Sequence, residues 1–389
     1  MKVLHVITGL DAGGAEQWLR LLLRHSAADA DVLALTNAGV LADAIRSDGV
    51  AVTDLGMRGN RDVAAIPRLV AHVRRGRYDL VHTHLYRAQL YGAIAARLAG
   101  VRRVVSTEHS LNDTLIEGRP TDRPGVRALY MTGARLTSRV IAVSEPVARR
   151  LVAWGVPRER VRVVPVGIET AEFAFDPAAR AAVRAELGIA QDAVVVGGVG
   201  RMVEPKRFDI LLRALAPLPG VTALLVGEGP AREGLAALAA QLGMADRVRF
   251  AGRRVDVARV LSAMDVFASP SPEETFGVAI LEAMASGLPV VYAAAPALDA
   301  LPEQARAGAT LTQATPAAVE AAVVALLGGG RPVDRPADRL SDRLSDRLSD
   351  RLSPPAALAD YDGATLARRI DRIYTECLGP ARSASGRTG

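Results

Sequence analysis

Residues 266–292 read VFASPSPEETFGVAILEAMASGLPVVY, and this stretch indicates the fold. A β-rich apolar run over Val266 to Ala268 is followed by a polar loop and by an apolar helical segment that stops at Gly287. A second apolar run, Val290 to Tyr292, begins after Pro289. A strand, a helix and a further strand in this order are typical of a βαβ unit with parallel strands.

The same alternation continues in both directions along the chain. A join containing Pro and Gly, near Pro165 to Pro177, separates two such series. The predicted fold class is therefore α/β, with two Rossmann-like lobes whose parallel sheets face each other across a ligand-binding cleft. The other predicted strands are Val3 to Thr8, Val32 to Thr36, Leu80 to Thr83, Arg103 to Thr107, Val140 to Val143, Val161 to Val164, Val194 to Val199, Ala223 to Val226 and Arg247 to Phe250.

Three domains are predicted: residues 1–168, residues 169–353, and a C-terminal helix with a flexible tail over 354–389. The predicted helices include Ala15 to Arg24, Ala88 to Leu98 and the amphipathic Ala364 to Leu378, which should dock on a lobe. Four tandem copies of Asp-Arg-Leu-Ser fill residues 338–353. We interpret this repeat as a surface expansion without chemistry, although it can also form a loosely amphipathic helix.

Charge is unevenly distributed. Residues 1–150 carry 21 Lys and Arg against 14 Asp and Glu, whereas the rest of the chain carries 27 against 28. Such a surplus can attract anionic lipids or an acidic acceptor, or it can be a solvated surface. Nucleic-acid binding is not expected, because no arginine cluster is interleaved with aromatic residues and no zinc or helix-turn-helix spacing appears.

Targeting and redox signals are weak in this sequence. The first residues lack the long apolar stretch and cleavage site of a signal peptide, and no stretch approaches the ~18–20 apolar residues that span a bilayer. We therefore expect a cytoplasmic protein, with peripheral contact at the inner membrane face as an alternative. The single cysteine, Cys377, cannot form an intrachain disulfide and is expected to be a buried thiol.

Two glutamates and a helix start suggest chemistry in the opening stretch. Glu274 is predicted in the loop and Glu282 about two turns inside the helix, so they can reach different parts of one ligand. The amides of Phe276, Gly277 and Val278 are expected to be free donors that suit a phosphate. A purely structural interpretation makes Glu274 a charge that complements the helix dipole and Glu282 a surface residue.

A second motif lies after the strand Val194 to Val199. The run Gly198-Val-Gly-Arg-Met-Val-Glu-Pro-Lys-Arg-Phe-Asp places Arg201 and Lys206 at the carboxyl end of that strand, where open α/β sheets bind ligands. Lys206 is one of two lysines in the chain, the other being Lys2. A compact ammonium suits a diphosphate oxygen, although a chance lysine remains an alternative.

These motifs together resemble the family-4 retaining glycosyltransferases of the GT-B fold. The pairing of Gly-Arg…Lys with glutamates eight residues apart carries the resemblance, and weaker fragments extend it along nearly the whole chain. Those fragments are Gly13-Gly-Ala-Glu, Val81-His-Thr-His, Thr107-Glu-His, Ile141-Ala-Val-Ser, Val164-Pro-Val-Gly-Ile, Val226-Gly-Glu-Gly-Pro, Phe250-Ala-Gly and Ala263-Met-Asp-Val-Phe.

The resemblance implies roles for particular residues. Arg201 and Lys206 would hold the leaving diphosphate, Glu282 the nucleotide ribose, and Glu274 the hydroxyls of the donor sugar. The base would rest near Gly252 to Asp256, which includes Arg253 and Val255. Gly13 and Gly14 would form a tight loop at the substrates, with a simple turn as the alternative.

The first lobe would then be the acceptor-binding domain and the second the nucleotide-sugar-binding domain. His109 would face the sugar, with a structural loop histidine as the alternative. Candidate acceptor segments are Arg58 to Arg61 and Ser110 to Gly125. The chain departs from the family pattern at Val166, where Asn is common before Gly, and at the loop that ends in Glu303.

The reaction implied is transfer of a hexose or N-acetylhexosamine-type sugar, from a UDP sugar or alternatively a GDP sugar. The acceptor would be a lipid-linked glycan, a polysaccharide or a small natural product. Positive donors at the phosphate would stabilise the departing charge. No Asp-x-Asp cluster follows a strand, so no metal and no cofactor are expected.

Three rival functions are alternatives to this interpretation. A nicotinamide-dependent dehydrogenase would need a glycine fingerprint that Gly9-Leu-Asp-Ala-Gly-Gly does not fit. A nucleotide-sugar epimerase of the same architecture disagrees with the glutamate spacing. A non-catalytic nucleotide-sugar binder remains open, because sequence alone does not demonstrate turnover.

Overall fold

The computed structural model describes residues 1–11, 13–59, 62–328 and 351–379. The chain forms two compact units. The first comprises Met1–Gly167 and the helical segment that begins at Gly363, and the second comprises Ile168–Asp362. The predicted boundary at 168/169 lies one residue from the observed one. The predicted boundary at 353/354 is not observed, because residues 354–362 belong to the second unit.

The first unit is built on a seven-stranded parallel sheet in the order β3-β2-β1-β4-β5-β8-β9, and β6 and β7 form a separate antiparallel hairpin. Its strands are β1 Lys2–Ile7, β2 Asp29–Ala34, β3 Ala51–Asp54, β4 Leu80–His84, β5 Val104–Glu108, β6 Leu115–Ile116, β7 Arg119–Pro120, β8 Arg139–Ala142 and β9 Val161–Val163. Its helices are α1 Gly14–His25, α2 Ala42–Ser47, α3 Ala65–Gly76, α4 Tyr86–Leu98, α5 Pro124–Leu136, α6 Glu145–Trp154 and, at the C-terminus, α14 Gly363–Leu378.

The second unit is built on a six-stranded parallel sheet in the order β12-β11-β10-β13-β14-β15. Its strands are β10 Val194–Val199, β11 Val221–Val226, β12 Val248–Gly252, β13 Val266–Ser269, β14 Val290–Tyr292 and β15 Ala309–Leu311. Its helices are α7 Pro177–Glu186, α8 Phe208–Leu215, α9 Arg232–Gln241, α10 Val257–Ser262, α11 Val278–Ala285, α12 Pro296–Asp299 and α13 Pro316–Leu326. Two Rossmann-like parallel sheets confirm the predicted α/β class.

Strand burial explains why most strands were predictable. Leu4 and Val6 on β1, and Val195 and Val196 on β10, are fully buried, as expected for strands covered by helices on both faces. The edge strands β3 and β15 were not predicted. Their residues are half-buried or exposed, so neither forms a continuous apolar run.

The C-terminal helix α14 docks in the first unit, as the sequence predicted. Its predicted apolar residues Leu366, Ile370, Ile373 and Tyr374 are buried. A Cβ on Gly363 would lie 2.7 Å from the Leu21 side chain of α1, so the absence of a side chain permits this close packing.

The Asp-Arg-Leu-Ser repeat lies largely outside the described residues, so the expectation of a helix or a surface expansion at 338–350 stays a prediction. The last copy is different, because its arginine is anchored on the second unit. The guanidinium of Arg351 donates to the carbonyls of Ser262 and Met264 at 2.9 and 2.8 Å, and lies 4.3 Å from the Phe175 ring centroid. This copy therefore contributes to packing.

Candidate functional site

The strand order of each sheet defines where a ligand can approach. In the second unit the order reverses between β10 and β13, which are neighbours in the sheet. At such a switch point the connections leave toward opposite faces and open a crevice beyond the carboxyl ends of the strands. The loops after β10 and β13 carry Arg201, Lys206 and Glu274.

Lys206 and Glu274 form an ion pair at this switch point. The ammonium Nζ of Lys206 lies 2.6 Å from Oε1 of Glu274, and the two side chains are 29% and 10% exposed. A 3-10 turn over Glu204–Lys206 places the lysine, and Arg207 then takes a left-handed φ of 51° before α8 begins. The structure therefore brings together two side chains that the sequence placed 68 residues apart.

Ser271 joins the two loops and was missed by the sequence analysis. Its fully buried hydroxyl lies 3.0 Å from the carbonyl oxygen of Pro205 and 2.9 Å from that of Glu273. The hydroxyl has one proton to share between these acceptors. The Ser271 side chain thus links Pro205 and Glu273, which precede Lys206 and Glu274. In the sequence, the Ser-Pro-Ser-Pro run was the only signal for this contact.

The start of α11 presents its amides as the sequence predicted. Gly277 caps the helix with φ 98°, a left-handed conformation that favours glycine. The amides of Phe276, Gly277 and Val278 donate to no other residue in the described ranges. Phe276 itself is buried against Tyr361, so it offers its backbone and not its ring.

Glu282 lies on α11 and is half-buried. The helix begins at Val278, so Glu282 stands just over one turn inside it, and the prediction of two turns was wrong because the loop is longer than expected. Burial raises the pKa of the Glu282 carboxyl to about 7. Within the described part of the chain this carboxyl has no hydrogen-bond partner, so it can accept a ligand hydroxyl.

The loop that carries Arg201 rests on two glycines. Met202 donates its amide to the carbonyl of Glu228 at 2.8 Å, and a Cβ on Gly227 or Gly229 would lie 2.0 or 2.3 Å from a backbone oxygen of the Arg201 loop. The Val226-Gly-Glu-Gly-Pro motif therefore packs its backbone directly against the Arg201 loop and supports it, a role that the sequence analysis did not assign. Arg201 itself is exposed.

The expected base-binding loop follows β12. Arg253 and Val255 are exposed there, and Gly252 has φ 68°. The intervening Arg254 forms ion pairs with Asp256 at 2.8 Å and with Glu186. Arg254, which the sequence analysis overlooked, thus holds the loop in place through its neighbours.

In the first unit the predicted glycine loop opens α1. Gly13 is the N-cap in an extended conformation and Gly14 is the first helical residue, so neither forms a left-handed turn. A Cβ on Gly13 would lie 2.3 Å from Oε2 of Glu16, which is the far end of a flexible side chain and can move aside, so this contact does not by itself require glycine. The approach of this backbone to the substrates, which the resemblance implies, stays a prediction.

His109 follows β5 and is 8% exposed. It is part of a buried histidine group with His5, His82 and His84, which lie on β1 and β4. Burial lowers the pKa of all four imidazoles, to about 3 for His5 and His109. These histidines are therefore neutral at pH 7. The pairing of β1 with β4 sets His5 opposite His82, His84 ends β4, and His109 follows the neighbouring strand β5.

Glu108 fixes the chain around His109. Its carboxylate Oε1 accepts from the amide and hydroxyl of Ser110 at 2.8 and 2.9 Å. Burial raises the pKa of Glu108 to about 7.

The candidate acceptor segment Ser110 to Gly125 contains the β6–β7 hairpin, which was not predicted. Its turn is made by Glu117 and Gly118, with φ 47° and 76°. The Arg119 guanidinium lies 4.8 Å from the Tyr86 ring centroid and 2.9 Å from Glu117. A crevice of 280 Å³ beside this segment is lined by Asn112, Asp113, Thr121, Asp122, Arg150, Ala153 and Trp154.

The remaining sequence candidates lie in other loops of the chain. Arg58 donates its amide to Asp62 at 3.0 Å, and Asn60 and Arg61 lie outside the described residues. Val166 is buried, and Glu303 is exposed at the start of a 3-10 turn.

Comparisons with known proteins agree with this architecture. Residues 12–172 match the model of Glycosyltransferase Family 4, and residues 193–328 match Glycosyl transferases group 1. A D-inositol 3-phosphate glycosyltransferase of Mycobacterium sp. (strain KMS) is 38% identical over 261 residues, which cover 64% of this chain and 58% of that protein. The chain thus aligns with less than two thirds of this relative.

Solved structures extend the likeness along the chain. Anabaena Alr3699/HepE in complex with UDP and glucose has a TM-score of 0.77 at 24% identity, over 96% of this chain and 99% of that one. The same protein with UDP-glucose has a TM-score of 0.75 at 25% identity and the same coverage. The chain belongs to the family-4 glycosyltransferases of the GT-B fold.

Over residues 1–11, 13–59, 62–328 and 351–379, no helix is both long and apolar enough to cross a bilayer.

Proposed function

We propose that this protein is a retaining, metal-independent glycosyltransferase that uses a nucleotide diphosphate sugar. The observation that carries the proposal is the Lys206–Glu274 pair in the loops that precede α8 and α11, at the switch point of the second sheet, with N-terminal amides of α11 that bind no other described residue. An ammonium, a guanidinium from Arg201 and helix N-terminal amides are the groups that recognise a diphosphate. These diphosphate-recognising groups all belong to the second unit.

Each group has a part in the proposed reaction. Arg201, Lys206 and the amides of Phe276, Gly277 and Val278 bind the diphosphate and stabilise its growing charge as the anomeric C–O bond breaks. Glu274 accepts hydrogen bonds from sugar hydroxyls, and Glu282 accepts from the ribose. The base rests against the loop of Arg253 and Val255. These positive groups perform the charge stabilisation without a metal ion.

The departing phosphate takes the acceptor proton on the same face of the sugar, so the anomeric configuration is retained. His109 in the first unit contacts the donor sugar. We assign no protein nucleophile, and no cofactor takes part.

The donor and acceptor are proposed from the relatives. UDP-glucose bound to Anabaena Alr3699/HepE supports a UDP-hexose donor. The name D-inositol 3-phosphate glycosyltransferase supports a phosphorylated cyclitol as the first acceptor to test, beside lipid-linked glycans and polysaccharides. The basic first unit would attract either an acidic acceptor or anionic lipid, so a cytoplasmic protein with peripheral membrane contact is part of the proposal.

A transfer assay tests the proposal. UDP-, GDP- and ADP-sugars are incubated with acceptor candidates in EDTA, and the released nucleotide and the product anomer are measured. Transfer with retention in EDTA supports the proposal, and inversion or a strict metal requirement contradicts it. Binding of a nucleotide sugar without transfer or hydrolysis would favour the non-catalytic binder.

A further inference from the structure

Three imidazoles of the first unit form a row that ends at His109. Nδ1 of His5 lies 3.1 Å from Nε2 of His84, and Nδ1 of His84 lies 3.4 Å from Nε2 of His109. His5 and His84 are fully buried, and His109 is the most exposed of the three at 8%. The row thus leads from the interior of the sheet to the carboxyl end of β5.

A neutral imidazole carries one N–H and one lone pair, so the two contacts constrain each other. If His5 donates from Nδ1, Nε2 of His84 accepts, and His84 must donate from its own Nδ1 to His109. His109 then carries its proton on Nδ1. The reverse arrangement places every proton on Nε2 and leaves Nδ1 of His109 as an acceptor.

The buried end of the row distinguishes the two arrangements. Nε2 of His5 is buried and has no partner among the described residues. In the first arrangement this nitrogen carries a lone pair, and in the second it carries a proton. Buried N–H groups without partners are rarer in proteins than under-satisfied acceptors, so the first arrangement is favoured.

We propose that His84, backed by His5, is a positioning residue that holds His109 in its Nδ1–H tautomer. His109 thereby donates a hydrogen bond to an oxygen of the donor substrate and does not act as a base. The contact with substrate rests on the proposed function, whereas the tautomer does not. The lowered pKa of His109 agrees with a neutral donor.

A metal centre is the competing use of these residues, because one ligand atom from each of His5, His82 and His84 lies within 4.8 Å of the others. Both nitrogens of His82 are already engaged, with Tyr374 at 2.6 Å and Thr107 at 2.7 Å. A cation would have to displace one of these bonds and the His5–His84 contact, with no carboxylate in the group to offset its charge. The hydrogen-bonded row therefore explains the geometry better.

The test is long-range ¹H–¹⁵N NMR of the full chain labelled with ¹⁵N-histidine, with signals assigned from single variants. His84→Asn keeps an amide donor near the Nδ1 position, and His84→Leu removes it. His72→Asn, on α3, is the control for an unrelated histidine. Thermal melts check that each variant folds, and His84→Asn keeps the test valid if His84→Leu does not.

Wild type and His84→Asn should show His109 protonated on Nδ1, and His84→Leu should show a mixture of tautomers. With a working donor, His84→Leu should lower kcat about tenfold with a smaller change in KM, as expected for one lost hydrogen bond, and His84→Asn should restore it. A proton on Nε2 of His109 in wild type overturns the inference. An unchanged His109 tautomer in His84→Leu also overturns the inference. So does the binding of stoichiometric zinc that shifts the imidazole signals of His5, His82 and His84.

If no nucleotide sugar supports turnover, the proposed function fails. The tautomer measurement needs no substrate and still decides this inference.

Discussion

The Lys206 ammonium lies 2.6 Å from the Glu274 carboxylate, and the pair joins the loops after β10 and β13. Two residues assigned to different parts of one ligand therefore contact each other directly. The ion pair neutralises a lysine and a partly buried carboxylate, and under the proposed function a diphosphate and a sugar hydroxyl would replace part of this contact.

Replacing Lys206 tests this arrangement. Lys206→Ala should lower kcat/KM for the donor by about 10²–10³, because the departing phosphate loses a fixed positive donor. Glu274 is left without its partner, so the melting temperature should fall by a few degrees at most. Lys206→Arg keeps the charge and should retain more activity than the alanine variant. Unchanged turnover in Lys206→Ala would refute the assignment.

Ser271→Ala should loosen both loops. The variant removes the hydroxyl shared by the carbonyls of Pro205 and Glu273, at a cost of about 1 kcal/mol. We expect a higher donor KM and a lower kcat in steady-state assays. Ser286→Ala is the matched control, because Ser286 is also buried in this unit and its hydroxyl has no partner within the described ranges. Equal effects of the two substitutions would show that Ser271 does not organise the site.

Glu282 should make stability depend on pH. Its pKa is raised from 4.5 to about 7, so its contribution to folding is present below about pH 4.5 and is lost as the pH rises through 7. Glu282→Gln should therefore gain about 1–2 kcal/mol in free energy of unfolding relative to wild type at pH 8, after allowance for partial exposure, and little at pH 5. The gain should appear as a higher melting temperature at pH 8 only. Thermal melts at the two pH values measure this.

Glu303→Gln is the control for that experiment, because Glu303 is exposed. Its difference from wild type should be the same at both pH values. If the difference in melting temperature between Glu282→Gln and wild type is also the same at both pH values, the pKa of the Glu282 carboxyl is not raised by burial.

Gly277→Ala should strain the start of α11. A φ of 98° disfavours any residue with a Cβ, and the substitution should cost about 1–3 kcal/mol and weaken donor binding. Gly234→Ala is matched within the same unit, because Gly234 lies inside α9 with nothing within 4 Å of an added Cβ. It should stabilise the protein by about 0.5–1 kcal/mol in urea unfolding. A Gly277→Ala variant of wild-type stability would contradict the backbone argument.

Much of the fold was predictable because its central strands are continuous apolar runs. β10 and β14 match their predicted bounds, and the other predicted strands differ from the observed ones by about one to three residues at one or both ends. The α11 amides and the placement of Glu274 before the helix were also predictable, since both follow from local order along the chain.

Contacts between distant residues were not predictable from local patterns. Lys206 meets Glu274 because β13 pairs with β10, and a single sequence does not give the order of strands in a sheet. His5 on β1, His84 on β4 and His109 just after β5 meet for the same reason. The buried hydroxyl of Ser271 has no sequence signal beyond two prolines, and the β6–β7 hairpin is too short to show alternation.

The most direct test is isothermal titration calorimetry, in which UDP, GDP and ADP are titrated in EDTA into wild type, Lys206→Ala and Arg213→Ala. Arg213→Ala is the charge-matched control, because Arg213 is an exposed arginine of α8. The account predicts that one nucleotide binds wild type and Arg213→Ala alike and binds Lys206→Ala at least tenfold more weakly. Nucleotide binding that needs a divalent metal would contradict a metal-independent diphosphate site at the β10–β13 switch point. Equal affinity of wild type and Lys206→Ala would contradict it as well.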